Sequence, residues 1–159
     1  MPNSFESALD LWTRDPYHFQ QWAVSLVEGI VLARQSGDKG IDGWIFFDLP
    51  DQKDCAGMVL EVKGGQNPTA ENVRSLGGVL DREPFAEMAG LILLHPPGTQ
   101  KRRNFETEMA AAGHLEVKGR KHPRMQILTI EEILAGKQFD LPAPPRTSRD
   151  PNRQLTGIL

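Results

Sequence analysis

Two apolar runs separated by a turn constrain this chain more than any other feature. Ile41 to Asp48 is apolar, β-branched and aromatic, and so is Met58 to Val62 with its flanks. Between them, Leu49-Pro50-Asp51-Gln52-Lys53-Asp54 is rich in turn formers, so the stretch from Gly40 to Gly65 reads as two strands and a turn. Side chains alternate faces along a strand, and residues two apart point the same way. Glu61 and Lys63 therefore project together, while Leu60 and Val62 face the other side. Antiparallel pairing across a short turn brings the start of the first strand beside the end of the second, which carries Asp42 toward Glu61. Two neighbouring carboxylates repel, and burial raises the cost of charging both. A divalent cation removes that conflict, and hard oxygen ligands with open water positions suit magnesium. Lys63 adds a compact cation able to hold a phosphate or a developing hydroxide. Glu-X-Lys on a strand is by itself ordinary and more often a solvated face; Gly40-Ile41-Asp42-Gly43 at the start of the preceding strand gives it weight.

The flanking segments alternate helix and strand. Ser4 can cap a short helix to Trp12, with Phe5, Ala8, Leu9 and Trp12 on one face. Asp15 as cap and Pro16 as first helical residue start a second helix to about Val27, with Phe19, Trp22, Ala23, Leu26 and Val27 as its apolar stripe. Gly29 to Gln35 suits either a strand or more helix. Gly64-Gly65-Gln66-Asn67-Pro68 reads as a flexible exit from the second strand. Thr69 caps a helix from Ala70 to about Asp81, with Val73, Leu76, Gly77 and Leu80 buried. Ala89 to Leu94 is a continuous apolar run, hence a buried central strand. Thr99 can cap a helix over Gln100 to Ala112, Met125 to Leu128 is a short strand, and Thr129 with Glu132 forms a capping box over Ile130 to Ala135. Strand–helix–strand crossovers after Lys63 imply an α/β chain with a mixed, partly parallel sheet and helices on both faces.

One compact domain is expected from 159 residues, with residues 1–14 as an N-terminal helix, 15–141 as the domain proper and 142–159 as a Pro-rich flexible tail. Cys55 is the single cysteine, so no disulfide framework forms within the chain, and a reducing, cytoplasmic setting is expected. No apolar run reaches membrane-spanning length. The net charge of −3 argues mildly against a protein that coats nucleic acid. Its distribution softens this. From Thr99 to Arg124, Lys101, Arg102, Arg103, Lys118, Arg120, Lys121 and Arg124 stand against Glu106, Glu108 and Glu116, a locally basic segment of the kind a phosphate-binding face needs. Lys101, Arg102 and Arg103 crowd the positive end of a helix, where a docked anion would relieve their repulsion. Arg74, also near a helix start, is easier to understand if it points at a phosphate.

Asp42 after Gly40-Ile41, and Glu61-Val62-Lys63 closing the next strand, resemble the PD-(D/E)XK nuclease superfamily, in particular its Mrr-like restriction endonuclease branch. Asp15 to Ala23, Asn72 to Val79 and Pro123 to Glu132 resemble a module at the C-terminal end of some site-specific DNA methyltransferases, so the resemblance spans roughly Asp15 to Pro142. It implies a restriction-endonuclease-like central sheet flanked by helices. It implies Asp42 and Glu61 as ligands of magnesium, with manganese as substitute, and Lys63 as the residue that positions or activates water. Gln20 completes the catalytic set from the first helix, where related sequences often carry Glu, leaving one fewer charged ligand. DNA is the implied partner, contacted by Arg74, Lys101, Arg102 and Arg103, with a DNA methyltransferase as a second partner. Two cuts on opposite strands need two active sites, which suggests a homodimer. The expected function is a magnesium-dependent DNA endonuclease of restriction-modification or defence type. The competing reading is a non-catalytic DNA-binding or docking module working beside a methyltransferase.

Overall fold

Ser4 and Asp15 start two helices in succession. In the computed structural model, which describes residues 1–31, 41–52 and 56–146, the Ser4 hydroxyl accepts from the Ser7 N–H and Ser7 closes the capping box at the head of α1 (Phe5–Arg14). The Asp15 carboxylate accepts from the His18 N–H at the head of α2 (Pro16–Leu26). Each such cap satisfies an amide that the helix cannot, an effect worth about 1 kcal/mol. Glu28, at φ 60°, turns the chain out of α2. Of the ambiguous stretch from Gly29, the described part is neither helix nor full strand: Ile30 makes a single antiparallel bridge to Trp44. Residues 32–40, with the glycine-containing loop before Asp42, and residues 53–55, with Cys55, lie outside the described residues.

Next come β1 (Gly43–Phe47), β2 (Ala56–Lys63), α3 (Ala70–Arg82), β3 (Ala86–Leu93) and α4 (Thr99–Ala110). They are followed by β4 (His114–Val117), β5 (Arg120–Pro123), β6 (Met125–Thr129) and α5 (Ile130–Leu134). The main sheet is mixed, in the order β1-β2-β3-β6, with β1 antiparallel to β2 and the others parallel. Thr69 and Thr129 cap α3 and α5 with full capping boxes, as their sequences predict. Thr99 does not cap α4: it is the first helical residue, and Gly98 precedes it without a side-chain bond.

Strand periodicity divides the core in two. Ile45, Phe47, Met58, Leu60, Val62 and Ile92 face α1, α2 and α5. Trp44, Phe46, Val59, Ala89, Leu91 and Leu93 face α3 and α4. Phe46 and Phe47 are both fully buried on opposite faces, and each contributes on the order of 2–3 kcal/mol by leaving water.

No strand is expected from the sequence between α4 and β6, yet β4 and β5 form a separate two-stranded hairpin there. Residues 142–146 also depart from the expected loose tail. Leu141 and Ala143 pack on the core, the Arg146 N–H donates to Phe46 O at 2.7 Å, and its guanidinium meets Asp48 at 2.6 Å. One backbone hydrogen bond, from the Arg146 amide, thus ties this segment to β1. No helix among the described residues is long and apolar enough to cross a membrane.

Candidate active site

The ladder between β1 and β2 ends at Gly43 opposite Leu60, and Asp42 continues it with its side chain. The Asp42 N–H donates to Leu60 O at 2.7 Å, and Asp42 Oδ2 accepts from the Val62 N–H at 2.7 Å. Asp42 is thus held on the backbone of β2 on both sides of Glu61, by its amide at Leu60 and by one carboxylate oxygen at Val62. By strand alternation, Asp42, Glu61 and Lys63 share the face that also carries Trp44 and Val59.

Glu61 is only 3% exposed. Its Oε1 lies 3.1 Å from Lys63 Nζ, while its Oε2 is buried with no hydrogen-bond partner among the described residues. Buried carboxylate oxygens are rarely left so, because losing water without a replacement bond costs several kcal/mol for a charge, roughly. Burial pushes the Glu61 carboxyl above its ordinary range; Lys63 opposes this, and Asp42 adds to it. Burial likewise raises Asp42, against the Val62 amide and Lys63. Each carboxyl is therefore costly to ionise without a further cation. Lys63 is 40% exposed along its side chain and marks the open side of the site.

The backbone around Lys63 is tightly held. Leu94 N–H donates to Lys63 O at 2.9 Å. The next residue, Gly64, is buried beneath the Trp12 indole of α1, where a β-carbon would fall 2.3 Å from the ring. The Gly-Gly exit from β2 thus begins as a packed contact, with no space for a larger residue. Helical spacing puts Trp12 on an apolar stripe, and no local signal in the sequence marks Gly64 as its partner. The site lies at the carboxyl ends of β2 and β3, from which the chain passes into α3 and α4. In open α/β sheets that is where ligands bind.

The remaining residues singled out from the sequence are not all brought here. Gln20 is half-buried on α2, which packs on the opposite face of the sheet. Lys63 occupies Glu61 Oε1, Oε2 has no partner, and Gln20 contacts neither. Arg74 bridges α3 to α4, bonding Glu108 at 2.9 Å and Glu71 at 3.3 Å. Arg102, 19% exposed, bonds Glu132 at 2.9 Å and Ile127 O at 3.2 Å, and pairs with Glu106. The protein itself therefore supplies the anion at the α4 start. Lys101 lies over the Phe105 ring, and Arg103 is exposed.

Asp42 and Glu61 could hold a divalent cation: a charged ion would give the stranded Oε2 a partner and relieve both raised carboxyls. Among the described residues no group of three or more His, Cys, Asp or Glu converges, so water would complete the coordination. No protein family, curated protein or solved structure matches this chain.

Proposed function

We propose that the chain is a divalent-metal-dependent DNA endonuclease with a restriction-endonuclease-like fold, hydrolysing phosphodiesters in a restriction-modification or defence setting. One observation carries this reading: the buried, partnerless Glu61 Oε2, on the strand to which Asp42 is bound and beside Lys63. Asp42 and Glu61 would hold magnesium, or manganese in its place. When bound, such an ion supplies hydroxide near neutral pH and neutralises charge on the transferring phosphoryl group. Lys63 Nζ, half-exposed beside Glu61, holds the attacking water or an anionic phosphate oxygen. The Val62 amide keeps one oxygen of Asp42 in place, and Trp12 on Gly64 fixes the backbone that presents Lys63.

The second reading, a non-catalytic DNA-binding or docking module beside a DNA methyltransferase, draws on the acidic net charge and on a described site of two carboxylates, with Gln20 uncharged where a third would stand. Incubating supercoiled plasmid with the chain and magnesium distinguishes them. The hydrolase reading expects nicked or linear DNA with wild type and intact DNA with Lys63→Ala. Equal persistence of the plasmid with both proteins, on methylated and unmethylated substrates, overturns it. DNA binding indifferent to Glu61→Ala would then select the docking module.

A further inference from the structure

We infer that the β4–β5 hairpin is a second nucleic-acid contact, a rigid cationic ribbon that engages duplex DNA at a distance from the carboxylate site. The inference rests on the proposed function for the identity of the polyanion.

Three cations gather at the tip of the ribbon. Lys118 stands in the turn, and Arg120 and Lys121 follow Gly119 into β5. All three are exposed, and among the described residues none has an ion pair or a side-chain hydrogen bond. Glu116, opposite Lys121, is the hairpin's one carboxylate. In a chain of net charge −3, these three cations stand without a carboxylate bound to them among the described residues, whereas Arg74 and Arg102 are bound to carboxylates.

The turn points the same way. Lys118 has φ 52° and Gly119 φ 80°, the two left-handed positions of a tight hairpin turn. Asn or Gly takes the first position easily; a lysine there is strained, and an observed strain of this kind is a reason to ask what the residue does.

The root of the ribbon is firmly held. His122 is 2% exposed, and its Nδ1 lies 2.7 Å from Asp140 Oδ1. Leu115 packs against the core, and the Arg124 N–H donates to Gly113 O at 3.0 Å. A charged tip on an ordered base loses little freedom on binding, and a two-stranded ribbon has the width that the major groove of B-DNA admits. Arg124 Nε donates to Glu87 O near the start of β3, whereas Lys63 is level with Leu93 near its end. That length of strand is roughly 20 Å, so the root of the ribbon lies well away from the carboxylate site.

The test is anisotropy of a labelled duplex of about 30 base pairs, long enough to reach both surfaces, with the 159-residue chain in EDTA over a range of NaCl concentrations. The triple variant Lys118→Asn/Arg120→Thr/Lys121→Thr is expected to bind at least about tenfold more weakly. The slope of log K on log salt should flatten by about 2.7, from three lost phosphate contacts at about 0.9 each. Glu116→Lys, which adds a cation to the same ribbon, should bind more tightly. Wild-type affinity and slope in a triple variant that melts like wild type overturn the inference, as does a wild-type chain that binds no duplex. Should the triple variant melt early, no gain in affinity by Glu116→Lys overturns it. Plasmid cleavage separates the two proposals. A chain that cleaves but binds without regard to the ribbon refutes the ribbon alone. A chain whose binding needs the ribbon, but which never cleaves, refutes the hydrolase alone.

Discussion

The Trp12 indole lies directly on the backbone of Gly64, and a β-carbon at that position would come within 2.3 to 2.7 Å of three ring atoms. The contact joins α1 to the end of β2, one residue after Lys63. Gly64→Ala must therefore displace either the indole or the strand end. Overpacking of this kind costs about 1–3 kcal/mol, so a lowered Tm and a loss of metal-dependent cleavage are expected together. Adding Trp12→Leu should recover part of the stability in the Gly64→Ala background. A Gly64→Ala protein as stable and active as wild type would show that this packing does not position Lys63.

Glu61→Gln removes the buried charge while keeping the shape of the side chain. In metal-free protein near pH 7, it should melt at or above the wild-type temperature, although the ion pair with Lys63 becomes a neutral-acceptor hydrogen bond. Magnesium or manganese should raise the Tm of wild type and leave Glu61→Gln unmoved, which thermal scans with and without the ion will read directly.

The pH dependence of the metal-free chain follows from the raised Asp42 and Glu61 carboxyls. Folded protein holds protons here that the unfolded chain releases from ordinary values of 3.8 and 4.5. The contribution of the pair to stability is therefore complete below that range and declines as pH rises through the elevated values. Cation affinity should climb over the same window, because the proton and the metal compete for the same oxygens. Titration of metal binding against pH, by calorimetry, checks the direction.

Glu132 behaves in the opposite sense. Burial pushes its carboxyl up, but the Thr129 amide, Arg102 and Lys137 outweigh burial and hold it down to about 2. Stability from this cluster is full above the ordinary value of 4.5 and is lost as pH falls toward about 2. Glu132→Gln should flatten the acid limb of the stability profile. Arg102→Ala should cost about 1–3 kcal/mol, since it removes one of the three partners of a half-buried carboxylate and leaves Ile127 O without the guanidinium donor. Denaturant unfolding at pH 7 and pH 3 reads both effects.

Lys118→Asn alone separates stability from binding. Asn accepts the left-handed conformation more readily than lysine, so the variant should gain a few tenths of a kcal/mol, roughly, in stability. Its affinity for DNA should nevertheless fall, and the two measurements together show whether strain at the tip is retained for contact.

Much of the site's geometry was legible because strand alternation is a local rule. The spacing of Glu61 and Lys63 places them on one face, and a short turn returns β2 past the start of β1, where Asp42 binds the Val62 amide. The caps at Ser4, Asp15, Thr69 and Thr129 were legible for the same reason: each acts within one turn of helix. The β4–β5 hairpin was harder to see. Leu115 and Val117 alternate over only four residues, and Lys-Gly is a weaker turn signal than Asn-Gly.

What the amino-acid order settled by itself was therefore the α/β alternation, the start of most helices and the common face of Glu61 and Lys63, all governed by neighbours a few residues apart. Tertiary structure decided which charges find partners. Arg102 meets Glu132 across thirty residues and Arg74 meets Glu108 across thirty-four, so helix-end cations that look available for phosphate are paired within the fold. Packing alone set Trp12 on Gly64, placed the apolar stripe of α2 on the face opposite Glu61, and tied Arg146 to β1. Such contacts depend on how finished elements dock, a long-range outcome that no residue's immediate neighbours encode.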